Sequence, residues 1–233
     1  MNTNKRYEYL LFDIDNTLMD FSAGEKTALF QTMDEVDISI SEADYHKYLE
    51  VNREAWLRFE EGLLDSKSVQ RERFEAFAAH LGRDIAEGQA LNDRYVVNLG
   101  MQAILMDGVT QMLEQLSGRY RLAVATNGLT LVQRERLRRS GFLPLLEKVF
   151  ISQEMGVQKP HKAYYDHILN AFETDQRESF LMIGDSFSAD IQGGINAGID
   201  TCWYQNPGAE PDANILPTYT VRGYDELLDL LLG

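Results

Sequence analysis

The 233-residue sequence is poor in cysteine and in positive charge, and it has no long apolar run. Cys202 is its single cysteine, so no disulfide can close within the chain, and a reducing, cytoplasmic setting is the expectation. In Ile199-Asp200-Thr201-Cys202-Trp203-Tyr204 the thiol reads as a small core hydrophobe on a buried strand. Lysine and arginine number 22 against 37 aspartates and glutamates, for a net charge of −15. Nucleic-acid polymers and anionic membranes need basic surface, so neither is an expected partner. An anionic substrate would need local positive charge or a metal. No run is long enough to span a bilayer, and Lys5 and Arg6 are followed by Glu8 rather than by an apolar stretch, so no signal peptide is expected. Internal repeats and low-complexity tracts are missing too. What is present is 44% apolar residues, enough for one large domain or a core domain with an insertion.

The chain changes character along its length. Tyr7-Glu8-Tyr9-Leu10-Leu11-Phe12 reads as a buried strand. From about Ser22 to Met101 the periodicity is helical. Ser22-Ala23-Gly24-Glu25 and Ser41-Glu42-Ala43-Asp44 read as capping boxes opening two helices, the second with an apolar face at Tyr45, Tyr48, Leu49, Asn52, Trp56 and Phe59 and a stop at Gly62. A third helix runs from Val69 to Gly82 and a fourth from about Ile85 to Met101. From about Asp107 helices and strands alternate. Helices are expected over Val109–Leu116, up to Ser140, over Lys162–Phe172 and up to Gly198; strands are expected over Arg121–Ala125, Lys148–Ile151, Phe180–Ile183 and around Thr201. Alternation of this kind implies parallel βαβ units with right-handed crossovers. The expected architecture is α/β: a Rossmann-like parallel sheet core over 1–20 and 104–233, with an inserted four-helix cap over 21–103.

Four polar clusters follow predicted strands or sit in loops: Asp13/Asp15, Thr126-Asn127-Gly128, Lys159-Pro160, and Asp185-Ser186 with Asp190. A parallel sheet collects its strand C-termini on one edge, where distant segments meet. Asp13 and Asp15 stand two apart at a strand end, where alternation would point both the same way. Each cluster alone has a plainer reading, as a turn, a helix cap or a solvated loop charge. Together they have a chemical logic. Clustered carboxylates suit a hard cation such as Mg²⁺. A hydroxyl, an amide and helix-start N–H groups suit a phosphate. One lysine supplies fixed positive charge. Those are the parts of a phosphoryl-transfer site.

The ordered set Asp-x-Asp-x-Thr, strand–Thr-Asn-Gly, Lys-Pro and Gly-Asp-Ser-x-x-x-x-Asp resembles the haloacid dehalogenase superfamily of hydrolases over the whole chain. A helical insertion after the first motif looks like the superfamily's first cap class. The resemblance implies Mg²⁺ at the sheet edge. It implies Asp13 as nucleophile, Asp15 as general acid/base with its main-chain carbonyl on the metal, and Thr126, Asn127 and Gly128 on the phosphate. It further implies Lys159 as the group offsetting charge on nucleophile and phosphate, Asp185 as a direct metal ligand, and Asp190 as a ligand or its support. Ile151 through Pro160, Gly193-Gly194-Ile195-Asn196-Ala197-Gly198 and, in the cap, Val51-Asn52-Arg53-Glu54-Ala55-Trp56 with Arg73-Phe74 are similar to bacterial pyrimidine 5′-nucleotidases. That narrower likeness implies a small phosphorylated metabolite as substrate, a nucleoside monophosphate first.

Other readings compete. Dehalogenases of the superfamily lack the second carboxylate of the first motif, so Asp15 speaks against them. A phosphatase for sugar phosphates, and a sugar-phosphate mutase, keep both aspartates and stay open on the core motifs. A non-catalytic binding protein would show a gap in the constellation, and every position here is filled.

Overall fold

A computed structural model describes residues 6–233; Lys5 lies outside them. Six parallel strands form one sheet in the order β3-β2-β1-β4-β5-β6. They are β1 (Tyr9–Phe12), β2 (Arg121–Thr126), β3 (Lys148–Ile151), β4 (Phe180–Gly184), β5 (Asp200–Tyr204) and β6 (Tyr219–Val221). The first strand is shorter than its apolar run. At Tyr7 the hydroxyl instead donates to Asp200 at 2.6 Å. In register Phe12 stands beside Val124 on one side and Ile183 on the other. Strand order reverses across β1 and β4, so a crevice for a ligand opens at their C-terminal ends. All four residues of β1 are buried, as a central strand covered on both faces requires.

The helices are α1 (Phe21–Asp34), α2 (Glu42–Glu60), α3 (Ser66–His80), α4 (Gly88–Gly100), α5 (Val109–Ser117), α6 (Thr130–Ser140), α7 (Ser152–Met155), α8 (Lys162–Ala171), α9 (Gln192–Ala197) and α10 (Tyr224–Leu232). One face of the sheet packs Tyr9, Leu11, Ala123, Ala125 and Met182 against Tyr164, Tyr165, Ile168 and Leu169 of α8. Cys202, on β5 beside Ile183, is fully buried, and burial pushes its thiol up to about 12. No helix among the described residues is long and apolar enough to cross a membrane.

The chain divides into two compact units. The first comprises residues 1–20, 104–130 and 140–233 and holds the sheet; the second comprises 21–103 and 131–139. Inside the first, Met19 bridges both Asp15 and Leu105, and Asp20 N–H donates to the Ile104 carbonyl at 2.9 Å, so the two chain crossings leave side by side.

Within the second unit α2 opens with a reciprocal capping box. Asp44 N–H donates to Ser41 Oγ at 3.3 Å and Ser41 N–H to Asp44 Oδ2 at 2.8 Å. Both α2 and α3 are followed by glycines in the left-handed region, Gly62 at φ 75° and Gly82 at φ 68°. Ser22, read as an N-cap, lies inside the helix. Here α1 begins one residue earlier, at Phe21, and the Glu25 carboxylate is drawn into the interior, where it accepts from Asn52 Nδ2 at 2.7 Å. Most of α6 belongs with the second unit. Arg136 is buried and donates to the Gln102 carbonyl at 3.0 Å, and Arg139 reaches Met101 Sδ at 2.8 Å. Sequence periodicity carries no sign of this, because it reports which face is apolar and not which neighbour covers it.

Candidate active site

The site builds from strand ends. Asp13 continues β1 for one residue, its N–H donating to the Ile183 carbonyl at 2.9 Å. Beyond it the extended form stops. Asn16 turns to φ 55°, and the Ile14 carbonyl accepts from Leu18 and Met19 at 2.9 Å each. Asp15 therefore sits in a tight loop, and strand alternation is not what places it. It still raises the Asp13 and Asp185 carboxyls electrostatically, so it belongs to the same field.

Lys159 reaches the same point from the loop before α8. Its ammonium donates to Asp13 Oδ1 at 2.7 Å, Asp190 Oδ1 at 2.6 Å and the Ala125 carbonyl at 2.8 Å, and the residue is 1% exposed. Every ammonium hydrogen has an acceptor. Burial alone would lower its pKa, but Asp13 and Asp190 overcome that and hold it well above the ordinary value.

The Lys159 main chain is fixed as firmly. Asn127 donates through Nδ2 to the Lys159 carbonyl at 2.9 Å and accepts the Lys159 N–H on Oδ1 at 2.9 Å. Asn196 Nδ2 donates to the next carbonyl, that of Pro160, at 3.1 Å. The amide expected on a phosphate is thus engaged with the lysine's own peptide through its oxygen and one of its two amide hydrogens. Thr126 is buried, and its hydroxyl accepts from Gly128 N–H at 3.2 Å.

Asp185 and Asp190 follow β4. A single π-type turn, Phe187–Ile191, leads into α9. Ser186 caps it by accepting the Ala189 N–H at 3.1 Å, while Ser186 N–H donates to Asp190 Oδ2 at 3.0 Å. Widening the turn by one residue brings Asp190, four places on, back to the cap. Gly184 makes room, since a Cβ there would stand 2.1 Å from Asp190 Oδ2. With Oδ1 on Lys159 and Oδ2 on Ser186, Asp190 has both oxygens occupied and is fully buried. Trp203 Nε1 donates to the Asp185 carbonyl at 2.9 Å.

Asp13, Asp185 and Asp190 each bring a carboxylate oxygen within 4.8 Å of the others. Burial, together with Asp190 and Asp15 and against the pull of Lys159, pushes Asp13 up to about 7. Burial and the neighbouring acids hold Asp185 well above the usual carboxylate range. Three carboxylates against one ammonium leave a deficit of two positive charges, which fits a hard divalent cation held by oxygen ligands. The Asp15 carboxylate stands outside this group of three.

Sequence reasoning foresaw the convergence of Asp13, Lys159, Asp185 and Asp190. It missed Asn127 and Asn196 as clamps on the Lys159 segment, and Trp203 as a partner of Asp185. An asparagine after a strand signals a cap equally well, and a buried tryptophan signals only bulk.

Comparison with known proteins gives a consistent result. The sequence profile of the haloacid dehalogenase-like hydrolases matches residues 7–198. Pyrimidine 5′-nucleotidase PynA of Streptococcus pneumoniae is 39% identical over 97% of this chain and 95% of its own. Pyrimidine 5′-nucleotidase YjjG of Escherichia coli is 31% identical over 97% and 98%. The crystal structure of the HAD-hydrolase YfnB from Bacillus subtilis, bound to magnesium, superposes with a TM-score of 0.91 at 36% identity, covering 97% of this chain and 99% of that one. The chain belongs to the haloacid dehalogenase-like hydrolase family.

Proposed function

We propose that this member of the haloacid dehalogenase-like hydrolases is a Mg²⁺-dependent phosphatase of small phosphate monoesters, with pyrimidine nucleoside 5′-monophosphates as its preferred substrates. The observation that carries the reaction is the buried contact of Asp13 with Lys159, 2.7 Å long, at the end of the central strand. The substrate class rests on the two nucleotidase relatives. In this reading the first unit is the catalytic domain and the second is the cap that reads the leaving group. Interdomain movement described for the magnesium-bound YfnB crystal form supports that division of labour.

Asp13 Oδ attacks phosphorus, and the bond to the ester oxygen breaks. Asp15 gives its proton to that oxygen as it leaves. A water then attacks the aspartyl-phosphate, Asp15 takes its proton, and the acyl-phosphate bond breaks to release inorganic phosphate and restore Asp13. Lys159, fully charged and clamped by Asn127, offsets charge on the Asp13 carboxylate. The Thr126 hydroxyl, oriented by the Gly128 N–H it accepts from, and the Asn127 N–H hold phosphate oxygens. Asp13, Asp185 and the Asp15 main-chain carbonyl would hold Mg²⁺, with Asp190 holding Lys159 and the 186 main chain in place. When bound, Mg²⁺ supplies the two positive charges the carboxylates lack and neutralises phosphate oxygens.

A phosphate-release screen over nucleoside monophosphates, sugar phosphates and a generic aryl phosphate, with Mg²⁺ and with chelator, tests both levels. Turnover of the aryl ester that survives exhaustive chelation would overturn the reaction. Pyrimidine monophosphates ranking no higher than sugar phosphates would overturn the substrate class and leave the reaction standing.

A further inference from the structure

Trp203 occupies a position where bulk alone would serve. It lies on β5 opposite Gly184 in register and is buried in the core. A phenylalanine would fill a strand position of that kind. An indole brings an N–H that must find a partner when buried. Here the partner is the main-chain carbonyl of Asp185, at 2.9 Å, across the strand pair. The same ring packs on Phe187 with centroids 4.4 Å apart, so one side chain grips the residue two places after Asp185 as well. The segment between them cannot be braced from the other side by a larger residue at 184, because the Asp190 carboxylate fills the space a Cβ would take.

We propose that Trp203 is a positioning residue for the divalent-cation site. It fixes the Asp185 main chain, and through it the direction in which the Asp185 carboxylate meets Asp13 and Asp190. This rests on the reading above that Asp185 is a metal ligand. Outer groups that orient ligands typically change metal affinity tenfold to a hundredfold when removed. The indole is also a fluorophore in contact with Asp185, so its emission would register a cation held by that residue.

The test is Mg²⁺ binding by the full chain, measured by titration calorimetry on wild type and on W203F, which keeps a ring and loses the N–H. The expected result is a Kd for Mg²⁺ about tenfold or more weaker in W203F, with kcat at saturating Mg²⁺ within about threefold of wild type. An unchanged Kd would overturn the proposal. A purely structural tryptophan would lower the unfolding midpoint without moving Kd. A second arm stands if W203F does not fold. The chain has two tryptophans, Trp56 and Trp203, so in W56F the emission belongs to Trp203 alone. That emission should change on adding MgCl₂ with the calorimetric midpoint, and a flat response through that midpoint would overturn the proposal. If wild type shows no Mg²⁺ binding, the metal-site reading itself falls, and the inference with it, an outcome distinct from equal binding by wild type and W203F.

Discussion

Among the described residues the sheet unit buries Lys159 and the helical unit buries Arg73 and Arg136; Lys159 and Arg73 keep opposite company. In the sheet unit Lys159 touches two carboxylates, with a third close by. In the helical unit Arg73, 2% exposed, donates to two neutral amides, Asn52 Oδ1 and Asn92 Oδ1, both at 3.1 Å. Its guanidinium lies over the rings of Tyr95 and Phe74 at 4.9 and 5.3 Å. A single carboxylate, Glu25, balances it through Asn52. The helical network is close to neutral, and what it leaves open is polar rather than a charge: among the described residues Arg73 Nε and the Tyr48 and Tyr95 hydroxyls are buried without a hydrogen-bond partner. The sheet network is two charges short. A buried cation thus marks a site only when its surroundings are left unbalanced; a balanced one organises packing.

The sharpest test of that difference is the largest expected effect. Asp13→Asn should reduce phosphate release by roughly 10³-fold or more, with the circular dichroism spectrum retained. An amide neither attacks phosphorus nor supplies the negative charge that Lys159 meets. Near-wild-type turnover by folded Asp13→Asn would end the covalent mechanism.

Arg73→Met probes the other pole. It strands the oxygens of Asn52 and Asn92 in the interior, and a loss of about 3 kcal/mol in urea unfolding is expected. Turnover of a small aryl phosphate should persist wherever the protein remains folded. Loss of that turnover at unchanged stability would put Arg73 in the catalytic machinery and erase the contrast.

The charge deficit also sets a pH dependence. Asp13 has an ordinary value of 3.8 and is raised to about 7 in the folded, metal-free protein. Below 3.8 both states hold the proton, and the group exerts no effect. Between the two values the unfolded chain ionises while the folded one resists, so stability falls as pH rises, and above about 7 the loss levels off. The limit for this group is on the order of 4 kcal/mol. Unfolding of metal-free wild type and Asp13→Asn from pH 4 to 8 should show the slope in the first and a shallower one in the second, and Mg²⁺ should recover stability at pH 8. Asp185→Asn should stabilise the metal-free protein at pH 8 by about 1–3 kcal/mol while abolishing the response to Mg²⁺. Identical slopes in wild type and Asp13→Asn would show that the site is balanced without a cation.

The smallest effect belongs to the clamps. Asn127→Ala should lower kcat on the aryl phosphate by roughly tenfold, and Asn196→Ala, which removes one bond from the adjacent carbonyl, by about threefold. Combined with Lys159→Met, Asn127→Ala should add little, since it acts through that lysine. Full additivity would return the Asn127 side chain to the phosphate.

The same contrast shows what was readable before the fold. Strand ends were legible because buried parallel strands are continuous apolar runs with abrupt polar stops, so Asp13, Thr126 and Asp185 announced themselves. The Ser41 box and the glycine stops at Gly62 and Gly82 were legible because caps are local. Asp15 was expected beside Asp13 by strand alternation, but the chain leaves the strand at Asp13 and a tight loop places it instead. The edge strand Tyr219–Val221 and helix Tyr224–Leu232 went unread because a strand of three residues carries too little periodicity. The Asn127 clamp spans 32 residues and the Arg73 network up to 27, distances over which a side chain's partner is not encoded in its neighbours.

Cys202 carries a consequence for how this protein can be handled. A lone thiol, fully buried and pushed up to about 12, is silent towards maleimides in the native state. It lies on an inner strand beside Ile183, so a reagent reaches it only when the sheet opens. The native chain is therefore its own clock for sheet opening, read as a labelling rate. One cysteine introduced at the surface of either unit would take a dye or spin label uniquely, with no need to mutate the original thiol first.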